Sequence, residues 1–264
     1  ATGKVHLSVK GKGKSIFKDV KGVSLHQVYG PHPAGNVGVQ IGKISPINAG
    51  ERVWTVTPQD VATIGELFLT GKFNATRTVA LVGSEVKDAQ YYNVISGAAI
   101  ADLVAGKIEG DNVRVISGDV LTGTKVKMNG NLGFLSNTVT VIPEGNVYRM
   151  FGWMPFASPS VHSASRTGLS WLMPGKKYAP NTNLNGEERA LVVTGEMEAV
   201  MPLDIFPMQL LKACLASDID KMESLGIYEV APEDFALIDY TNTSKLEAQQ
   251  IIREALDLMI KEVG

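Results

Sequence analysis

A single cysteine, Cys214, is all the thiol this chain possesses. That excludes an internal disulfide, an iron–sulfur cluster and any zinc site built from several thiolates. An excess of one charge is also missing. Lys and Arg number 25 against 27 Asp and Glu, so the net charge is −2 and no field exists to gather a polyanion; nucleic acid is not a partner. No run of about 18 apolar residues occurs, which excludes a helix that spans a bilayer. The four histidines, His6, His26, His32 and His162, show no metal-ligand spacing, and no His-Glu-x-x-His, nucleophile elbow or carboxylate pair in a plausible cleft is found. Asp60, Glu66, Glu85 and Asp88 read as solvated helix and turn residues. No independent catalytic site is expected.

What the chain does have is ordinary globular material. An apolar fraction of 44% over 264 residues is enough to bury a core, in one long domain or two to three small ones. Cys214, flanked by Leu210, Leu211, Ala213 and Leu215, reads as a small core residue. The first residues, Ala-Thr-Gly-Lys-Val, carry no features of a signal peptide and pass directly into the strand-like alternation Val5, Leu7, Val9, as an excised fragment would.

Residues 1–72 read as α/β. Val5–Val9, Val23–Tyr29 and Arg52–Val56 have strand patterns. Thr57-Pro58-Gln59-Asp60 opens a helix with Thr57 as cap, proline at the first helical position and an acid at the third. Val61, Ile64, Leu67 and Phe68 share one face of it, and Gly71 stands where a terminal glycine belongs. Residues 73–126 read as a ββαβ unit: strands at Thr78–Val82 and Tyr91–Ile95, a helix over Ala98–Val104 closed by Gly106, and a strand at Asn112–Ile116.

Residues 127–200 are strand-rich, with Asn137–Ile142, a Pro143–Asn146 turn, Val147–Gly152 and Arg189–Thr194. Between the last two lies the polar stretch 153–186, read as an arm that crosses the fold or meets a partner through Trp153, Phe156 and Trp171. From Pro202 the chain is helical: Pro207–Ser217, Asp218–Leu225 with Ser217 as cap, Pro232–Asp239, and Ser244–Glu262 opened by the capping box Ser244-x-x-Glu247. Ala248, Ile252, Ala255 and Met259 form a core stripe on the last helix.

Two segments resemble ligand loops. Lys10-Gly-Lys-Gly-Lys-Ser15 ends like a phosphate-binding loop, but the first glycine that motif needs is replaced by Ser8, and a solvated hairpin is the better reading. Tyr29-Gly-Pro-His-Pro-Ala-Gly-Asn-Val-Gly-Val-Gln-Ile41 is more informative. Its glycines admit close approach to the main chain, and its prolines pre-set φ and remove donors, so it offers backbone groups to a planar or phosphorylated ligand or to a neighbouring subunit.

Four segments together carry a family likeness: Tyr29–Gly35, Arg52–Gly65 (RVWTVTPQDVATIG), Arg114–Gly123 (RVISGDVLTG) and Ala199–Pro207 (AVMPLDIFP). In this order they resemble the A subunit of the bacterial Na+-translocating NADH:quinone oxidoreductases, over essentially the whole chain and as the C-terminal portion of that protein. That family is in turn similar to the flavin-carrying subunit of respiratory complex I and to the C subunit of Rnf-type redox complexes.

The resemblance implies a mixed α+β and α/β fold. Its parts are a partial Rossmann-like layer (1–72), a β-grasp, soluble-ligand-binding module (73–126), a strand-rich region (127–200) and a helical domain (201–264). It also implies a departure. Where the Rnf-type relatives carry cluster cysteines, Met201–Pro207 and Ala236–Lys245 carry none. A flavin loop would lie upstream of residue 1.

The function expected is therefore that of a peripheral subunit with no cofactor of its own. It would stand at the cytoplasmic face of the bacterial inner membrane, clamp an integral membrane partner and help receive a quinone while partners carry the flavins. Tyr29, Pro31, His32, Pro33 and Gly35 are the candidate quinone- or partner-binding residues, and no metal site is expected. The alternatives are a soluble flavin- or NADH-binding oxidoreductase, for which no G-x-G-x-x-G fingerprint is present, and a pure assembly module.

Overall fold

A computed structural model describes residues 3–146, 161–164, 166 and 168–264. The expected strand Val147–Gly152 and the aromatics Trp153 and Phe156 lie outside the described residues. Along the chain run β1 (His6–Lys10), β2 (Ser24–Val28), α1 (Val37–Ile44), α2 (Pro58–Thr70), β3 (Thr76–Val82), β4 (Gln90–Ile95) and α3 (Ile100–Val104). There follow β5 (Val113–Ser117), β6 (Thr124–Val126), β7 (Thr138–Pro143), α4 (Pro207–Leu215), α5 (Ile219–Ser224), α6 (Ala236–Thr241) and α7 (Ala248–Glu262). The architecture is mixed α/β, in two compact units: residues 1–53, 191–240 and 246–264 in one, and 54–190 with 241–245 in the other.

The second unit is built on a five-stranded sheet in the order β4-β3-β7-β5-β6. β3 and β7 run parallel, while the β3–β4, β5–β7 and β5–β6 pairs are antiparallel. Alternation along β3 turns Val79 and Leu81 inward, where they meet Val139 and Val141 of β7, Val115 of β5 and the apolar side of α3, Ile100, Leu103 and Val104. Helix α2 begins and ends as its sequence dictates. The Thr57 hydroxyl accepts a hydrogen bond from the Asp60 amide at 3.2 Å, and Gly71 closes the helix in the left-handed region at φ 69°.

The ties of α2 to β3 are at its first turn. Arg77 donates to the Asp60 carboxylate at 2.9 Å, and the Thr78 amide donates to Gln59 Oε1 at 3.0 Å. Arg77 is buried and donates also to the Leu135 carbonyl. Beyond that turn the shared apolar face stands open, with Val61 54% and Phe68 85% exposed. Arg52–Val56 forms no strand, contrary to expectation, and Trp54 within it is 93% exposed. Arg189–Thr194 likewise forms none, with Val192 and Val193 exposed. A run of β-formers becomes a strand only where a partner ladder is available, and neither segment has one among the described residues.

In the first unit β1 and β2 pair in parallel, His6 opposite Ser24 through Lys10 opposite Val28. Parallel neighbours need a crossover, so the Lys10–Ser15 segment is not the hairpin expected; Ser15 instead caps a short 3-10 turn over Ile16–Asp19. The helical portion packs Met208 and Leu211 of α4, Met222 of α5, Phe235, Ile238 of α6, and the α7 stripe Ala248, Ile252, Ala255 and Met259 into one core.

The capping box at Ser244 does not form. Helix α7 starts at Ala248, and its first amide donates at 2.6 Å to the Asp239 carboxylate, while the Ser244 hydroxyl donates to the Ala190 carbonyl. A carboxylate brought in by α6 supplies a stronger, charge-assisted cap than the local serine. Similarly, Asp218 rather than Ser217 caps α5. Cys214 is buried as expected, and burial pushes its thiol up to about 11, leaving it inert at neutral pH.

Candidate functional site

The glycine- and proline-rich segment occupies the exit from β2 and folds in two halves. Its first half, Tyr29 to Asn36, is a turn that uses much of its own backbone. The Ala34 amide donates to the Pro31 carbonyl at 2.9 Å and the Asn36 amide to the Pro33 carbonyl at 2.8 Å. The Ala34 and Gly35 carbonyls take Gln40 Nε2. The His32–Pro33 bond is cis. Its second half, read from the sequence as part of one loop, winds into α1, which begins at Val37.

The five candidate residues fall in the first half. The Tyr29 ring is 58% exposed and lies over Gly11, where any Cβ would collide with it. Its hydroxyl donates to Gln27 Oε1 at 2.7 Å, so the ring is held at one edge. Pro31, His32 and Gly35 are exposed and Pro33 is half-buried. The turn thus leaves a held aromatic ring and, three residues on, an exposed imidazole between two prolines, groups that suit stacking and hydrogen bonding to a flat ligand.

Behind the turn sits a feature not legible in the sequence. Asp234, within a 3-10 turn over Pro232–Phe235, is 3% exposed and directs its carboxylate at Gly38 in the first turn of α1. A side chain at position 38 would run into that carboxylate. One carboxylate oxygen accepts from the Ala231 amide at 2.9 Å; the other has no hydrogen-bond partner among the described residues. Burial raises the Asp234 carboxyl above the usual carboxylate range. Asn36 Nδ2 donates to the Glu233 carbonyl, so the turn is anchored to the same segment. The glycine at 38 was visible as a place of close approach, but the acid that approaches it lies 196 residues away and no local signal names it.

The second unit offers an open groove of about 380 Å³ between the start of α2 and the sheet, lined by Pro58, Gln59, Ala80, Tyr91 and Asn137 among others. Near it Gln59 Nε2 is buried without a partner among the described residues. At the other end of the sheet, Glu144 accepts from Arg114 and is reached by Thr182 and by Lys125 at 3.2 Å. The hydrogen bond from Arg114 leads in holding its carboxyl down to about 2. That cluster ties strands and loop together, a structural role. Among the described residues no group of three or more His, Cys, Asp or Glu is disposed to hold a metal ion.

Comparison with known proteins gives these geometries a setting. Residues 1–73 match the family described as "NqrA second alpha/beta domain" and residues 78–128 that described as "NQRA C-terminal domain". The A subunit of the Na(+)-translocating NADH-quinone reductase of Neisseria meningitidis serogroup B (strain ATCC BAA-335 / MC58) is 36% identical over 260 residues, covering 98% of this chain and 58% of that protein. Its counterpart in Serratia proteamaculans (strain 568) is 38% identical over 262 residues with the same coverages. That of Hahella chejuensis (strain KCTC 2396) is 39% identical over 239 residues, 89% of this chain and 53% of its own length. The chain thus spans just over half the length of the curated relatives it matches. The resemblance read from the sequence holds along nearly the whole chain.

Proposed function

With two of its segments matching NqrA-family domains, we propose that this chain serves as a portion of the A subunit of a Na+-pumping NADH:quinone oxidoreductase, peripheral to the membrane and contributing to quinone binding and assembly. The observation that carries this reading is the similarity of 36–38% identity across 98% of the chain to proteins named as that subunit. Among the described residues no helix is long and apolar enough to cross a membrane, which suits a subunit that clamps an integral partner at the cytoplasmic face.

On this reading the β1–β2 pair with α1 is a partial Rossmann-like layer, and the sheet around residues 78–128 is a β-grasp module. A strand-rich region and a helical domain without cluster cysteines complete the division drawn above at 72, 126 and 200. Electrons pass through flavins on partner subunits, with no flavin or iron–sulfur cluster on this chain. Tyr29, Pro31, His32, Pro33 and Gly35 form the edge of the quinone- or partner-binding surface. The held ring of Tyr29 supports that placement, because a ring fixed by Gln27 and seated on Gly11 loses little freedom when a flat ligand stacks on it.

Photolabelling of the assembled complex with an azidoquinone tests the proposal. Label is expected in the peptide containing residues 29–36, with Tyr29→Ala reducing it. Label confined to other subunits would overturn the quinone role and leave assembly, a reading that the open apolar face of α2 favours independently.

A further inference from the structure

Two of the four histidines, separated by 20 residues, meet in the structure. His6 on β1 and His26 on β2 place Nδ1 and Nε2 2.9 Å apart, with ring centroids 5.1 Å apart and planes inclined at 30°. The parallel register produces this: His6 stands opposite Ser24 and His26 opposite Ser8. Alternation therefore puts both histidines and both serines on one face, with the rings diagonal across the ladder. His6 is exposed and His26 half-buried, so the pair opens to solvent.

A hydrogen bond between two neutral imidazoles needs one N–H and one lone pair; turning both rings so that each offers a lone pair lets one metal ion sit beside the line between the nitrogens in place of the shared proton. We propose that His6 and His26 are a two-imidazole site for a divalent transition-metal cation, Cu(II) before others. Two nitrogens each about 2.0–2.1 Å from one ion stand about 3 Å apart when they subtend roughly a right angle, and about 3.4 Å apart at a tetrahedral angle. The observed 2.9 Å is the length of the hydrogen bond itself and lies close to the right-angle value, so the strands need move little to seat square-planar or tetragonal Cu(II) or Ni(II) and somewhat more for tetrahedral Zn(II). Cu(II) also stands highest in affinity for nitrogen donors among the divalent first-row ions. With two protein ligands the remaining positions fall to water, and the ion bridges the strands as a clip across the ladder. Because it binds only where β1 and β2 are paired, it stabilises the folded state by mass action.

The test is Cu(II) titration of the whole chain, followed by electron paramagnetic resonance with nitrogen couplings resolved and by thermal melts. Expected is a single saturable Cu(II) with two imidazole nitrogens and a raised melting temperature. His6→Ala and His26→Ala should each weaken binding by about tenfold or more and abolish the shift in melting temperature, with His32→Ala as an unaffected control. His26→Gln, which keeps size and polarity, must give the same loss, and metal-free melts of each variant establish that the strands survive. Binding that is unchanged in His26→Ala or His26→Gln, which leave any chelation by the chain's amino terminus intact, would overturn the assignment. So would the absence of saturable binding, or Zn(II) bound more tightly than Cu(II).

Discussion

Helices α7 and α2 differ in what their apolar stripes meet. In α7, Ala248, Ile252, Ala255 and Met259 are each at most 4% exposed and pack against α4 and the Phe235 turn. In α2, Val61, Ile64, Leu67 and Phe68 range from 39% to 85% exposed, although this helix has the better local ends, a threonine cap, proline in the first turn and a left-handed glycine at the close. Good ends make a helix; they do not give its face a neighbour. α7 has no side-chain cap of its own from Glu247 and borrows Asp239 instead, yet its burial anchors a core. Most helical stability in a folded protein comes from packing of that face, so α7 is the structural member and α2 a surface element held by polar ties at one end.

The largest test of this contrast is a pair of truncations. Ile252→Ala is expected to cost about 2–5 kcal/mol in urea unfolding, while Ile64→Ala should stay within about 0.5 kcal/mol. Equal losses would mean that the α2 stripe is covered in solution. Next comes the polar tie. Asp60→Ala leaves the buried Arg77 guanidinium, among the described residues, with only the Leu135 carbonyl as its hydrogen-bond acceptor. It should lower stability by about 2–4 kcal/mol, with Asp60→Asn intermediate because its amide oxygen can still accept.

For α7, Asp239→Ala removes the carboxylate that receives the Ala248 and Gln249 amides and should cost about 1–2 kcal/mol, against under about 0.5 kcal/mol for Ser244→Ala. The reverse ranking would restore the capping box at Ser244.

The smallest effect is acid sensitivity in the sheet unit. The Glu144 carboxyl has an ordinary value of 4.5 and is held at about 2 in the fold, first by its hydrogen bond from Arg114. A depressed carboxyl contributes stability that is present above its unfolded value and lost as pH falls through its folded one, so the loss falls between about 4.5 and 2. Partial exposure of Arg114 limits it to about 1–2 kcal/mol. Glu144→Gln should flatten that part of the pH–stability curve; an unchanged slope would show that the pair is not formed in solution.

Much of the element list was legible because its signals are local. β3, β4, α3, β5 and β7 follow strand and helix patterns within a residue or two, and Cys214 sits in the core its neighbours implied. Failures arose where a distant group decided the outcome. Arg52–Val56 and Arg189–Thr194 have strand composition and no ladder to join. α1 lies hidden in a segment whose glycines read as loop, because Gly38 serves a helix packed against Asp234 rather than a turn. The candidate residues Tyr29 to Gly35 were found through their glycine and proline context. The meeting of His6 with His26 was not legible because two side chains 20 residues apart come together only once a parallel register aligns them.

By itself the sequence determined the ends of α2, most strands of the five-stranded sheet, which residues share a helix or strand face, the family resemblance, and the absence of thiols for a metal cluster. Those properties depend on dihedral preference, periodicity and composition, which neighbours along the chain specify. Only the tertiary structure decided which face is covered, which carboxylate caps α7, what lies against Gly38 and which two imidazoles meet. Each of these is a contact between groups far apart in the chain, and its free energy exists only once both are in place.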